Sequence, residues 1–288
     1  MRNWLSIAVA YAALTLSACA TPQTVGPVAS DAEIQQEEEV QAAYLQGMRA
    51  KGLVLGGENR KSPRTRLEKA AAKVAPAAVE MCRAMGRAIP ENCAYTIHYK
   101  HAPDDAPNAW ADGEQVYVTN SLIRYAKTDD ELAFVLAHEF GHNIMEHRSS
   151  HMRNAVLGMM AGAALDAAAA SQTGYSGNTY TDFGAAASQL AFSPGFEREA
   201  DYVGLYIIAR AGYDYKKAPE FWRTLSLVDP SAIYFQTTHP TNAERYVVMK
   251  KTIEEIDTKT AQDIALLPEM KTQTTALAHG SVSPSKQR

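Results

Sequence analysis

The sequence is poor in cysteine, and it lacks both a large excess of positive charge and a long apolar run after its first residues. Its 288 residues include 3 cysteines, and 28 basic against 32 acidic residues give a formal net charge of −4. Because the basic residues form no block, the charge pattern predicts no nucleic-acid partner. The uninterrupted apolar part of an Ala-rich stretch, residues 155–165, is shorter than the roughly 20 residues of a membrane-spanning helix. With 46% hydrophobic residues the chain can bury a full core, so we expect one main domain with extensions.

The N-terminus has the features of a secretory signal. Arg2 supplies a charged start, residues 5–16 are apolar, and Leu-Ser-Ala-Cys at 16–19 has the form of the lipobox of bacterial lipoproteins. In a lipoprotein Cys19 becomes the first mature residue and carries lipid; a plain secretory signal with a coincidental cysteine is the alternative. Because Ala20 is not the aspartate associated with inner-membrane retention, we expect an anchor in the outer membrane, on the periplasmic side of a Gram-negative cell envelope.

Only two cysteines remain if Cys19 is lipidated. Cys82 and Cys93 can close a short disulfide loop in an oxidising compartment, and two reduced, buried cysteines are the alternative.

Composition and periodicity predict the organisation of the chain. We expect a lipoprotein signal at 1–18, a tether and N-terminal helix at 19–63, a main domain at 64–256 and a disordered tail at 257–288. Within the main domain the patterns predict helices at 64–85 and 128–148, strands at 94–100 and 115–119, a strand or loop at 106–114, and an Ala/Gly-rich flap or hairpin at 154–192. The helix at 64–85 contains Pro76, which should kink or split it.

The stretch TDDELAFVLAHEFGHNIMEHR combines a helical apolar pattern with an H-E-x-x-H pentad. Thr128 and Glu131 form a Thr-x-x-Glu capping box, which predicts where the helix begins. On this helix His138 and His142 are one turn apart and share a face, so their imidazoles can bind one zinc ion. Glu139 lies beside them, where it can take a proton from an attacking water. An ordinary helix with polar surface or core residues is the alternative.

A second helix offers a third ligand. Ser193 followed by Pro194 predicts a capped helix start. Glu197 and Asp201 are four residues apart and hence on one face, so Glu197 can complete a His, His, Glu set with a fourth position open. Asp201 is then placed to accept the free N–H of a zinc-bound histidine and fix its tautomer. Glu199 points to another side of the helix and is the poorer ligand candidate.

Other histidines fit a ligand role less well. The extended motif of metzincins requires glycine and histidine where this sequence has Met145 and Arg148. His147 is turned well off the ligand face of a continuous helix, which favours a structural role. His98 and His101 lie outside the zinc helix and are expected to be ordinary polar residues.

These motifs in this order resemble the HtpX-like and CAAX-prenyl-protease-like gluzincin metallopeptidases, and within them the BepA/LoiP-like branch of periplasmic lipoproteins. The resemblance covers about residues 64–256 and includes His138-Glu139-x-x-His142, His147 and Glu197-x-x-Ala200-Asp201. It implies an α+β, mainly helical, zincin-like metallopeptidase domain with one zinc ion per chain. A small sheet would border the active-site cleft with its edge strand.

Two further stretches fit the resemblance. Asn108, Ala109, Trp110 and Ala111 resemble the family's active-site edge strand, which implies a role in substrate binding. His239-Pro240 with Arg245 resembles its H-P-x-x-x-x-R element. The resemblance implies that His239 approaches the zinc as an extra ligand or gate, or steadies the oxyanion, while Arg245 holds a carboxylate near the site. The membrane-embedded members have several spanning helices, which this sequence lacks after its signal, so prenylated substrates are not expected.

The motifs therefore predict a zinc endopeptidase that cleaves unfolded or misassembled envelope proteins, bound to the membrane through its N-terminal lipid. The alternative is a lipid-anchored chaperone or assembly factor with a latent or structural zinc site. A zinc hydrolase acting on cell-wall peptides is a third possibility, but no sequence feature recognises muramyl or amidated substrates. The sequence does not predict the oligomeric state.

Overall fold

The computed structural model describes residues 20–50, 62–86, 93, 95–101, 107–174, 177–182, 193–225, 239 and 243–271. In this part of the chain the fold is mainly helical with one small sheet, which confirms the predicted α+β class. The helices are α1 (Asp31–Ala50), α2 (Pro63–Ala84), α3 (Asn120–Tyr125), α4 (Asp129–Ile144), α5 (His147–Thr173), α6 (Pro194–Arg210), α7 (Ala218–Leu225) and α8 (Ala243–Ala261), with a short 3-10 turn at Tyr215–Lys217. The strands are β1 (Thr96–Lys100), β2 (Ala109–Ala111) and β3 (Gln115–Thr119). None of the described helices is long and apolar enough to cross a bilayer.

The sheet has the order β1-β3-β2, so β2 is an edge strand. β1 pairs with β3 in parallel, and β2 pairs with β3 in antiparallel register. Main-chain hydrogen bonds join Thr119 to Asn108 and Asp112 to Gln115 at the two ends of the antiparallel pair. Because bonded pairs alternate along an antiparallel ladder, Trp110 and Tyr117 form the bonded pair between them. The backbone groups of Ala109 and Ala111 therefore point away from β3, toward the free edge.

Helices α4 and α6 pack against each other at the centre of the core. Two glycines allow their backbones to approach closely. A Cβ on Gly141 of α4 would lie 2.8 Å from the carbonyl oxygen of Ala200, and a Cβ on Gly204 of α6 would lie 3.1 Å from the backbone nitrogen of His138. Side chains on the facing sides of the two helices are therefore brought within reach of one another.

Helix α4 begins as predicted and ends earlier than predicted. The Thr128 and Glu131 capping box is formed in both directions. The helix was predicted to continue to Arg148, but it ends at Ile144 because Glu146 adopts a left-handed conformation with φ of 55°. A new helix, α5, begins at His147. The turn at Glu146 gives His147 an orientation that a continuous helix would not.

Pro76 was predicted to kink or split the helix at 64–85. It lies inside α2, which is not split. The prediction for the C-terminal tail was wrong. Residues 257–288 were predicted to be disordered, but the chain has a defined structure as far as Lys271. Helix α8 continues to Ala261, and Leu266, Leu267 and Met270 then pack against the core. The prediction rested on the composition of the whole tail, in which the short apolar group that includes Leu266, Leu267 and Met270 carries little weight. Residues 272–288 lie outside the described residues.

The predicted tether is fixed to the domain rather than extended in solvent over residues 20–30. Thr24 is buried and forms an antiparallel bridge with Met270. Helix α1 follows and packs on α8, where the buried Glu37 pairs with Arg223 and Lys250. Residues 1–19, including Cys19, and residues 51–61 lie outside the described residues. So do residues 175–176 and 183–192 of the predicted flap, whose first part is the C-terminal portion of α5.

Cys82 and Cys93 form a disulfide with an S–S distance of 2.04 Å. Both residues are buried, and the bridge joins the end of α2 to the chain that leads into β1.

Candidate metal centre

Four buried side chains converge where α4 faces α6. His138 and His142 lie one turn apart on α4, Glu197 lies in the first turn of α6, and His239 precedes α8. One donor atom from each residue lies within 4.8 Å of the other three. The two imidazole Nε2 atoms are 3.1 Å apart, and each lies 3.4 Å from a Glu197 oxygen. The structure thus brings together the His, His, Glu set that the sequence predicted.

The spacing of the donors fits a tetrahedral metal ion. Ligand bonds of about 2.0–2.1 Å place the corners of a tetrahedron about 3.3–3.4 Å apart. His239 Nδ1 lies 3.2 Å from His138 Nε2 and 3.2 Å from Glu197 Oε1. His239 therefore stands beside the other three residues as a fourth donor, with all four donor atoms within 4.8 Å of one another.

Glu139 has the position of a catalytic base. Its side chain is fully buried, and neither carboxylate oxygen accepts a hydrogen bond of ordinary geometry within the described residues. Its Oε1 lies 3.5 Å from His239 Nε2. Burial raises the pKa of Glu139, against the opposing effects of His239, His138 and the Ala111 backbone amide. A buried carboxylate with acceptor capacity to spare can take a hydrogen bond from a water or a substrate at this position.

Asp201 holds the outer nitrogen of His138. Its Oδ1 lies 3.0 Å from His138 Nδ1 and also accepts a hydrogen bond from Trp222 Nε1 at 3.2 Å. Arg245 donates to both carboxylate oxygens, at 2.7 and 2.8 Å, and its third nitrogen lies 3.0 Å from Glu197. Burial alone would raise the pKa of Asp201, but Arg245 and His138 lower it overall. Asp201 therefore lies where the sequence predicted it, against the outer nitrogen of His138.

The two histidines of α4 differ in the direction of their pKa shifts. Burial would lower the pKa of His138, but its contacts with Asp201 and Glu197 raise that pKa to about 9. Burial lowers the pKa of His142 well below the ordinary value. Burial also opposes ionisation of Glu197, yet His239, Arg245 and His142 hold its pKa well below the usual range. The surroundings therefore favour the protonated form of His138 and the neutral form of His142.

Three residues at the site were missed or set aside on sequence grounds. Trp222 of α7 gave no motif signal, yet it bonds Asp201 and lies under the Arg245 guanidinium at 4.2 Å. His147 and Glu199 were judged poor ligands, and neither belongs to the group of converging donors. Both are buried nonetheless, and they contact each other at 2.9 Å. Their positions, five residues after His142 and two residues after Glu197, were the available sequence signal.

The predicted edge strand lies beside the centre. Ala109 and Ala111 bury their side chains, and β2 packs against α4, which carries His138, His142 and Glu139. Trp110 stacks on Tyr117 with ring centroids 4.9 Å apart. The buried Oδ1 of Asn108 has no hydrogen-bond partner within the part of the chain that the structure describes. This edge therefore offers backbone groups, and one side-chain acceptor, for a ligand.

Comparison with known proteins places this centre in a family. Residues 69–253 match Peptidase family M48. The chain is 28% identical to the mitochondrial metalloendopeptidase OMA1 of Saccharomyces cerevisiae over 174 residues, 54% of this chain and 46% of that protein. It is 30% identical to the protein of that name in Schizosaccharomyces pombe over 164 residues, again 54% and 46%. It is 34% identical to the beta-barrel assembly-enhancing protease of Yersinia pestis over 138 residues, 45% of this chain and 28% of that protein.

These matches cover less than half the length of the curated relatives. The family match, by contrast, covers more than half of this chain and includes His138, Glu139, His142, Glu197 and His239. The chain therefore belongs to Peptidase family M48 and is a metalloprotease.

Proposed function

We propose that this protein is a zinc-dependent endopeptidase that cleaves unfolded or misassembled proteins of a Gram-negative cell envelope. The observation that carries the proposal is the convergence of His138, His142 and Glu197 next to the buried, unpartnered carboxylate of Glu139. Imidazole and carboxylate donors at tetrahedral spacing suit zinc, and one ion per chain fits the single group of donors found among the described residues. When bound, zinc supplies the Lewis acidity that polarises a scissile carbonyl and makes water acidic enough to attack it.

Glu139 moves the proton in this mechanism. Its carboxylate accepts a proton from the attacking water and then passes it to the leaving amine. Burial, which raises the pKa of Glu139, makes its carboxylate a stronger base than an exposed glutamate. Asp201 and Arg245 keep His138 in the orientation that turns Nε2 toward the centre. His239, 3.5 Å from Glu139, is placed either to close the site or to steady the developing oxyanion.

The edge strand explains a preference for unfolded substrates. The backbone groups of Ala109 and Ala111 point to the free edge of the sheet, so an extended peptide can add a strand by main-chain hydrogen bonds. The Asn108 Oδ1 acceptor lies at the end of this edge and can take an N–H of the same peptide. Such main-chain contacts depend little on the identity of the substrate side chains. They require an extended segment whose backbone N–H and C=O groups are free, and a folded protein has few such segments because most of these groups are already paired.

The proposed location rests on the lipobox and on the relatives. Cys19 would carry the lipid that fixes the chain to the outer membrane, with the metal centre in the periplasm. The name of the Yersinia pestis relative, beta-barrel assembly-enhancing protease, supports a role in quality control of β-barrel proteins. Cys19→Ser should abolish the incorporation of labelled fatty acid that the wild-type protein shows. A wild-type protein that takes up no label, or a Cys19→Ser protein that is labelled as fully as the wild type, would contradict the lipid anchor.

The test of the enzymatic proposal separates metal binding from proton transfer. Glu139→Gln should retain zinc, because Glu139 is not a ligand, and should lose cleavage of unfolded casein by at least about 100-fold. Glu114→Gln makes the same substitution at an exposed residue between β2 and β3 and should match the wild type. A Glu139→Gln protein that binds zinc and cleaves casein at the wild-type rate would refute the proposal.

A second function is favoured by one observation. His239 Nδ1 lies close enough to His138 and Glu197 to serve as a fourth protein ligand. A centre closed in this way would be latent, and the protein would act as a lipid-anchored chaperone or assembly factor. An anomalous-scattering map of the zinc-loaded protein distinguishes the two. Four protein ligands and no water at the ion would favour the latent site.

A further inference from the structure

Glu199 is a buried carboxylate for which the mechanism above has no role. It lies on α6 between Glu197 and Asp201 but outside the group of metal donors. Its two oxygens have different partners. Oε2 lies 2.9 Å from His147 Nε2, and Oε1 accepts the backbone N–H groups of both Gln23 and Thr24.

His147 joins this carboxylate to a metal donor. Its Nδ1 lies 2.9 Å from Nδ1 of His142, and its ring stacks on Phe196 with centroids 4.6 Å apart. His142 directs its other nitrogen, Nε2, to the centre. When Nε2 of His142 binds a metal, its Nδ1 carries the proton and donates it to His147. His147 must then accept at Nδ1 and donate from Nε2 to Glu199, so one set of tautomers satisfies every group.

The two histidine ligands are therefore supported by carboxylates of the same helix in different ways. His138 contacts Asp201 directly, at 3.0 Å. His142 reaches Glu199 only through His147, in two steps of 2.9 Å each. Hydrogen bonds to the outer nitrogen of a ligand histidine fix its orientation and raise its basicity.

The far end of this chain of contacts is the segment that follows Cys19. Ala20 exchanges two hydrogen bonds with the side chain of Asn154 on α5, at 2.7 and 3.0 Å. Thr24 forms an antiparallel bridge with Met270. The hydrogen bonds of this bridge run from Val25 N–H to the Glu269 carbonyl and from Lys271 N–H to the Gln23 carbonyl. The N–H of Thr24 is thus on the opposite side of the extended segment, where Glu199 accepts it. The segment is bound at both ends and delivers two N–H donors to one buried oxygen.

We infer that His147 and Glu199 are positioning residues for His142, and that docking of the Gln23–Thr24 segment onto Glu199 completes the metal centre. The inference rests on the proposed role of His142 as a metal ligand. Metal affinity then depends on the chain next to the lipid-bearing cysteine. A protein whose N-terminal segment is pulled from α6 would hold its metal more weakly.

Glu199→Gln tests the relay with little change in shape. An amide has one acceptor and one donor side, so it places an NH₂ group against either His147 Nε2–H or the two backbone N–H groups. In either orientation, one of the two contacts places a donor against a donor and cannot form a hydrogen bond. We expect the affinity for zinc, measured by competition with a chelating indicator, to fall about 10–100-fold.

A matched pair of variants at Thr24 tests the segment. Thr24→Pro removes the backbone N–H whose hydrogen bond Glu199 accepts. Thr24→Ser keeps this N–H and also the side-chain hydroxyl, which contacts Glu199 as well. Thr24→Pro should weaken zinc binding at least about threefold, in the same direction as Glu199→Gln, and Thr24→Ser should bind as the wild type does. Equal losses in the two Thr24 variants, or wild-type affinity in both Thr24→Pro and Glu199→Gln, would overturn the inference.

The wild-type protein gives a readout that requires no variant. In the zinc-loaded full chain with ¹⁵N-labelled histidine, NMR should show His147 protonated at Nε2 and unprotonated at Nδ1. A proton on Nδ1 of His147 would overturn the relay. A wild-type protein that binds no zinc would instead refute the proposed function, so the two failures are distinguishable.

Discussion

The Arg245 guanidinium donates to both carboxylate oxygens of Asp201, at 2.7 and 2.8 Å, and through Asp201 it determines how His138 faces the metal centre. All three residues are buried. Only the planar fork of arginine supplies two parallel N–H groups to one carboxylate. The orientation of a ligand on α4 thus depends on α8, a helix that carries none of the converging donors.

Arg245→Lys should therefore weaken the centre although the positive charge is kept. A lysine is a point donor and cannot bond both Asp201 oxygens and Glu197 at once. We expect zinc affinity and kcat/KM on casein each to fall about 10–100-fold. The matched control is Arg198→Lys, which alters a partly exposed ion pair with Glu244. This pair joins α6 and α8, as the pair of Asp201 with Arg245 does. Equal losses in both variants would show that the effect is not specific to Asp201.

Metal binding should expel a proton from His138. The pKa of this residue is raised to about 9, so below pH 9 the metal-free protein holds a proton that the bound metal displaces. Affinity should rise with pH and level off near pH 9. Calorimetry at pH 7.5 in two buffers of different ionisation enthalpy should give about one proton released per ion. Asp201→Asn removes a cause of the raised pKa and should reduce the release; an unchanged release would contradict the assignment to His138.

The pentad and its helix were predictable because their signals are local. The Thr128 and Glu131 cap lies within one turn of the chain, and the H-E-x-x-H spacing fixes two imidazoles on one face of any helix. Glu197 and Asp201 were identified in the same way, from a capped helix and a spacing of four. Each signal needs only a few consecutive residues.

The supporting contacts were not predictable because they join distant parts of the chain. Trp222 reaches Asp201 only after the turn between α6 and α7 folds back on the core. His147 was set aside on the assumption of a continuous helix, which the left-handed Glu146 breaks. Glu199 finds its backbone partners 175 and 176 residues away. No local pattern encodes such a pairing.

The close packing of α4 and α6 should be sensitive to a single methyl group. Gly141→Ala places a Cβ 2.8 Å from the Ala200 backbone oxygen, which can move only with its helix. We expect the free energy of unfolding to fall by roughly 1–3 kcal/mol, measured by denaturant titration of the metal-free protein. Gly47→Ala is the control, because a Cβ there meets nothing within 4 Å, and it should stabilise α1 by about 0.5–1 kcal/mol. A Gly141→Ala protein as stable as wild type would mean that the helices can separate without cost.

His239→Ala should show whether the fourth donor closes the centre. His239 Nδ1 lies 3.2 Å from His138 and from Glu197, which is close enough for it to act as a fourth donor. Removing the imidazole leaves three protein donors and an open position, so we expect faster cleavage of casein at saturating zinc.

His239→Ala also distinguishes a gate, in which His239 closes the centre as a fourth donor, from a role in stabilising the oxyanion. Loss of an oxyanion donor would lower kcat by about 100–1,000-fold instead, and a decrease of that size would contradict the gate. His101→Ala, which removes an exposed histidine next to β1, is the matched control and should leave both rate and zinc content unchanged. Because zinc is saturating, a weaker metal affinity in His239→Ala would not mask the increase in rate.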